Sequence, residues 1–175
     1  MTSFKISPPV LWLFGLGLIS GLASSMAPDA AEHIKLFDVP IYPGPLFGAV
    51  IAFGIYRWGK ASWWAAALAL VITVLAWIAA MRGFHALTDN GARYIYLGGI
   101  MAGAIGAAGT MLGGAITVPA LRRLPDWLLT IGVGALAGLL VGPEVQMPND
   151  KSFLLLFVIW QAAVAASIGH ALTRR

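Results

Sequence analysis

The chain has 175 residues, of which 59% are hydrophobic and only 10% are charged, with a mean hydropathy of +0.85. A water-soluble domain of this length carries about a quarter of its residues as charged side chains, so the composition excludes an ordinary soluble protein and indicates a surface that faces lipid. There is no cysteine, which excludes disulfides and thiolate metal sites, and the net charge of +4 comes from scattered helix-end residues, so nucleic-acid binding is not expected.

Six apolar segments follow one another along the chain, and each is near the roughly 20 residues that a helix needs to cross a bilayer. In chain order they are 9–27, 39–57, 62–81, 93–118, 127–141 and 152–172. The sequence therefore predicts an all-α fold, with residues 1–175 forming one polytopic membrane bundle of about six transmembrane helices.

Prolines make two of these segments less regular. The second contains Pro40, Pro43 and Pro45, so its regular helix is expected only from about Leu46. The fifth is short and ends where Pro143 stops the helix.

The distribution of Lys and Arg predicts the orientation. With the N-terminus in the cytoplasm, seven basic residues fall inside and four outside. The inner residues are Lys5, Arg57, Lys60, Arg122, Arg123, Arg174 and Arg175, and the outer residues are Lys35, Arg82, Arg93 and Lys151. Asp126 is the one acidic residue on the inner side. Both termini are therefore predicted to be cytoplasmic, and we expect the membrane to be the inner (plasma) membrane of a bacterium.

The first and fifth segments share the pattern Gly-x-Gly-x-x-x-Gly-Leu, at 15–22 and 132–139. Each is followed by a proline–acid pair, at 28–29 and 143–144. This echo favours repeated helical hairpins, three in series. Chance similarity between glycine-rich apolar helices is the alternative, and the sequence leaves both open.

Small residues are densest in the fourth segment, where they allow close packing of membrane helices. The candidate packing residues are Gly99, Gly103, Gly106, Gly109 and Gly113. We expect this segment to be the central helix of the bundle. Its glycine stripes are predicted to pack within the chain or, alternatively, to form a face for a second copy or a partner membrane subunit.

Three polar residues are candidates for binding a substrate or an ion. Asp29 and Glu144 each follow a proline at the outer end of a helix, where exposed carbonyls and a carboxylate could form a cation site; simple solvation is the alternative. Gln161 lies within the sixth segment, where its amide needs a partner. Thr73, Thr110 or a backbone carbonyl is expected to supply one, and a substrate contact is the alternative.

The function these features favour is a channel or facilitator for a small solute or ion. A non-catalytic membrane subunit that packs against partners is the alternative. An enzyme acting on lipid through Arg82, His85 and Asp89 ranks third, because no catalytic constellation lies within a span. Membrane lipids are the expected partners, and no metal or cofactor is expected.

Overall fold

The computed structural model describes residues 7–26, 35–36, 39–89, 91–146 and 153–174. Within these ranges the helices are α1 (Pro8–Met26), α2 (Pro43–Arg57), α3 (Trp63–Thr88), α4 (Ile95–Ala115), α5 (Leu124–Gly138), α6 (Val141–Gln146) and α7 (Leu154–Thr173). Two short strands, β1 (Lys35–Leu36) and β2 (Val39–Pro40), pair antiparallel before α2. Single 3₁₀ turns precede α4 (Ala92–Tyr94) and α5 (Pro119–Arg122). The prediction of an all-α helical bundle is confirmed.

Five helical segments of the described chain are long and apolar enough to cross a membrane. They are α1, α3, α4, α7 and the continuous pair α5–α6, Leu124–Gln146. These five segments indicate an integral membrane protein.

Helix α2 departs from the expected set of six spans. It has 15 residues, a length of about 22 Å, which is less than the roughly 30 Å of a bilayer core. It begins at Pro43, earlier than the expected Leu46. The reason is that Pro43 and Pro45 lie in the first turn, where a backbone N–H has no helical partner to lose.

The six longer helices form three antiparallel hairpins: α1–α2, α3–α4 and α5–α7. Around the bundle, contacts run in the closed order α1, α2, α3, α4, α5, α7 and back to α1. The second helices of the hairpins, α2, α4 and α7, also contact one another and form the inner part of the bundle. The expectation that α4 alone is central is therefore corrected, since α2 and α7 share that position. We call the end that holds the start of α1 basal and the opposite end apical.

Glycine backbones set the closest approaches between helices. Gly99 and Gly103 of α4 face Gly138 and Gly134 of α5, and a Cβ at any of the four would overlap backbone or side-chain atoms of the facing helix. In a membrane, apolar side chains are already surrounded by lipid, so the hydrophobic effect does not drive helices together. Membrane helices associate instead through such close packing.

The other stripes of small residues are also used within the chain. Gly109 and Gly113 lie against Ala76 and Ala69 of α3, so α4 presents small residues to both its neighbours. On α1, the stripe that contains Gly17 meets the backbone of α7 at 161–162. Neighbouring helices therefore run antiparallel, because the residue numbers of the contacts increase along one helix while they decrease along the other.

The basal half of the bundle is filled by one cluster of aliphatic side chains. Leu13, Ile51, Ile55, Met111 and Leu121 are each 0% exposed within it. The cluster brings together α1, α2, α3, α4, α7 and the 3₁₀ turn before α5. Side chains from all of these elements are buried against one another in the cluster.

Candidate functional site

A cavity of about 90 Å³ occupies the apical half of the bundle. Residues of α2, α3, α4, α5, α6 and α7 line it, and none of the lining residues comes from α1. One part of the wall consists of small residues of α4, namely Gly99, Ala102, Gly103 and Gly106. The rest is dominated by aromatic rings, namely Phe47, Trp77, Phe84, Phe153, Phe157 and Trp160. The cavity therefore arises where bulky rings face a helix surface with almost no side chains.

Ring packing holds the aromatic wall in place. The centroids of Phe47 and Trp160 are 5.2 Å apart, and those of Trp77 and Phe157 are 5.6 Å apart, both in tilted arrangements. The indole N–H of Trp160 donates to the carbonyl of Gly103 at 3.3 Å. That of Trp77 donates to the carbonyl of Pro40 at 2.7 Å. Since both indole donors are used by the backbone, the rings offer the cavity mainly their apolar faces.

The two threonines of the wall are also internally satisfied. The hydroxyl of Thr73 donates to the carbonyl of Ala69, and that of Thr110 donates to the carbonyl of Gly106, each at 2.8 Å. Such bonds to the preceding turn keep a hydroxyl from seeking other partners. Among the lining residues that the structure describes there is no charged side chain. The wall is therefore apolar apart from one residue.

That residue is Gln161 of α7, which is 2% exposed. Its Nε2 donates to the Oγ of Ser24 on α1 at 3.0 Å, while its Oε1 has no hydrogen-bond partner. The partner differs from the expected Thr73, Thr110 or backbone carbonyl. A side chain on a helix leans toward the N-terminus of that helix. On α7 this direction brings the amide of Gln161 to Ser24 on α1.

The acidic candidates have different outcomes. Asp29 lies outside the described residues. Glu144 of α6 accepts hydrogen bonds from the backbone N–H groups of Leu155 at 2.6 Å and Leu156 at 3.1 Å. These are orphan donors of the first turn of α7, whose N-cap, Phe153, is left-handed and supplies no side-chain cap. Glu144 thus interacts with the positive end of a helix, where a carboxylate is favourable.

The position of Glu144 matters for the cavity. Val141, one turn before it on α6, and Leu156, one of the residues it caps, both line the cavity. The carboxylate therefore ties together two helix ends at the apical rim. Sequence reasoning missed this role because the partners are backbone groups 11 and 12 residues away across a chain reversal.

A buried acid at the basal end was also missed. Asp126, in the first turn of α5, is 1% exposed and has one carboxylate oxygen without a partner. Its other oxygen lies 3.7 Å from a guanidinium nitrogen of Arg174. The sequence places Asp126 at a helix start, but its burial depends on how the end of α7 packs there.

The residues considered for chemistry on lipid, Arg82, His85 and Asp89, lie away from the cavity. Helix α3 continues to Thr88, so Arg82 and His85 share its exposed apical end, and Asp89 is the C-cap. In the described part of the chain, no three histidine or acidic side chains come together as metal ligands would.

Comparisons of the chain with protein-family models, with curated proteins and with solved structures found no match. Its geometry is therefore the basis for a functional assignment.

Proposed function

We propose that this protein is a membrane facilitator that works as a carrier for a small uncharged solute. The apical cavity is the binding site. In this proposal the cavity opens to the apical side and is closed below by the basal cluster. The membrane is the bacterial plasma membrane, with both termini in the cytoplasm, so that the apical end faces outward.

The observation that carries this proposal is the contrast between the cavity and the basal cluster of aliphatic side chains below it. A water-filled channel needs a continuous polar path, whereas here the cavity ends above Ile51, Met111 and Ile168, which are at most 1% exposed. Passage then requires rearrangement of the hairpins around a bound solute, as in alternating access.

The orientation is supported by the charges at the two ends. The basal end carries Arg57, Lys60, Arg122, Arg123 and Arg174 among the described residues. Such residues accumulate on cytoplasmic loops. Arg122 also donates to the carbonyls of Ala115 and Ile116 at 2.8 and 2.9 Å, which anchors the basal end of α4.

The alternative function, a non-catalytic subunit that binds partners through glycine stripes, receives less support. The candidate stripes on α4 are already occupied by α3 and α5. A partner would have to bind other surfaces of the bundle.

A flux assay in liposomes tests the proposal with a matched pair of variants. Ala102→Phe places a ring in the cavity, and Ala104→Phe makes the same change on the same helix at a residue that does not line it. We expect protein-dependent uptake of small uncharged solutes by the wild type and Ala104→Phe, at least tenfold less uptake by Ala102→Phe, and no ion conductance. Ion conductance, or equal uptake by the two variants, contradicts the proposal.

A further inference from the structure

Gln161 has one amide atom that the protein does not use. Its nitrogen is turned to Ser24 on α1, a helix that contributes no lining residue, while the carbonyl oxygen is left without a partner. Buried acceptors in proteins usually have a hydrogen-bond partner, and this one has none within the protein. Gln161 lines the cavity, so a small movement of its buried side chain lets a molecule bound there supply the missing donor.

The wall also restricts the charge of that molecule. Taking an ion out of water into an apolar site is costly even after the protein relaxes. Cation–π attraction to tryptophan or phenylalanine returns only part of that cost. Because no charged side chain is among the described residues of the wall, both cations and anions are disfavoured and a neutral molecule is favoured.

The same wall also restricts the size and shape of the bound molecule. The volume is about 90 Å³. For comparison, an apolar cavity of about 150 Å³ holds benzene. The flat faces of Phe47, Phe157 and Trp160 suit a planar ring, which gains from offset or edge-to-face contact. The cavity is smaller than this but only partly enclosed, so a single ring fits with one edge projecting past its rim.

Resting on the proposed function, we infer that the substrate class is a neutral single-ring compound with one hydrogen-bond donor, bound with that donor on Gln161 Oε1. Gln161 is then the residue that distinguishes a donor-bearing ring from a ring of the same size without a donor. Hydroxyl-bearing and N–H-bearing rings share this chemistry.

The test uses the full chain in lipid nanodiscs and ¹⁹F NMR titration with three probes of similar size. 4-Fluorophenol has a donor, 4-fluoroanisole has only an acceptor, and 4-fluorotoluene has neither. Empty nanodiscs give the partition of each probe into lipid. We expect 4-fluorophenol to bind about fivefold to tenfold more tightly than the other two, which corresponds to one net hydrogen bond. Gln161→Met, of similar shape but without the amide, should remove this preference, so that the three probes bind with similar affinity.

The possible failures are distinguishable. Equal binding of all three probes to the wild type, or 4-fluoroanisole binding as tightly as 4-fluorophenol, overturns the role of Gln161 Oε1 but leaves a binding cavity. Binding of no probe above empty nanodiscs overturns the proposed function as well. The wild-type comparison keeps the inference testable even if Gln161→Met does not fold.

Discussion

The basal and apical halves of the bundle share most of their helices. The basal half is filled by buried side chains, whereas the apical half contains a cavity. In the basal half, branched and long side chains such as Ile51, Ile55 and Met111 interdigitate across the inner helices. In the apical half, α4 presents Gly99, Gly103 and Gly106, which contribute no side chains to the space beside the aromatic rings. Local side-chain volume thus helps to place a cavity in a membrane bundle.

The largest effect is expected at the glycine contacts that hold both halves together. Gly103→Val places a side chain onto the carbonyl of Gly134 and should separate α4 from α5. Overpacking of this kind destabilises by about 1–3 kcal/mol or more. Thermal unfolding in detergent should show the loss as a lower midpoint.

Gly132→Val is the matched control for Gly103→Val. It makes the same substitution on α5 at a position where a Cβ meets no atom within 4 Å. A midpoint lowered equally by both variants would mean that glycine-to-valine changes act through the helix backbone rather than through the α4–α5 contact.

A pair of methionine truncations compares the halves directly. Met111 is 0% exposed in the basal cluster, whereas Met81 is half-buried in the cavity wall. Met111→Ala should destabilise by about 2–5 kcal/mol, because a filled site is emptied. Met81→Ala should have less than about half that effect, since its site already borders empty space. Chemical denaturation of the two variants measures the difference, and equal losses would contradict the contrast between the halves.

A smaller effect is expected at the apical rim. Glu144→Gln replaces a charged acceptor by a neutral one and should weaken the cap on α7 by about 1 kcal/mol. Hydrogen exchange at the backbone amides of Leu155 and Leu156 should become faster. Asp89→Asn, at the exposed end of α3, is the control for loss of one apical carboxylate and should leave both amides unchanged. Unaltered exchange in Glu144→Gln would show that the carboxylate does not hold the rim.

Much of this architecture could be predicted from composition and spacing. Hydropathy and length define helices whatever their neighbours, so five of the six expected segments correspond to helical segments long enough to span a membrane. Helix α2 is the exception, because its 15 residues, which begin at Pro43, are too few to span a bilayer core. Glycine spacing indicated which faces pack closely, as Gly99 and Gly103 show. Spacing alone could not identify α5 as the helix that those faces meet.

The site was harder to predict for a physical reason. Which partner Gln161 finds depends on the register between α1 and α7, which lie at opposite ends of the chain. The cap formed by Glu144 depends on the path of the chain between α6 and α7. The cavity itself is a property of several helices at once, since its wall combines Gly106 of α4 with Trp160 of α7.

Cysteine accessibility tests the central claim most directly, because the native chain has no cysteine. Ala102→Cys introduces a thiol in the cavity, and Met111→Cys introduces one in the basal cluster. In cells treated with a small uncharged thiol reagent that does not cross the membrane, we expect modification of Ala102→Cys from outside and no modification of Met111→Cys from either side. Modification of both would indicate a continuous aqueous path. Modification of neither from outside would contradict an outward-open cavity.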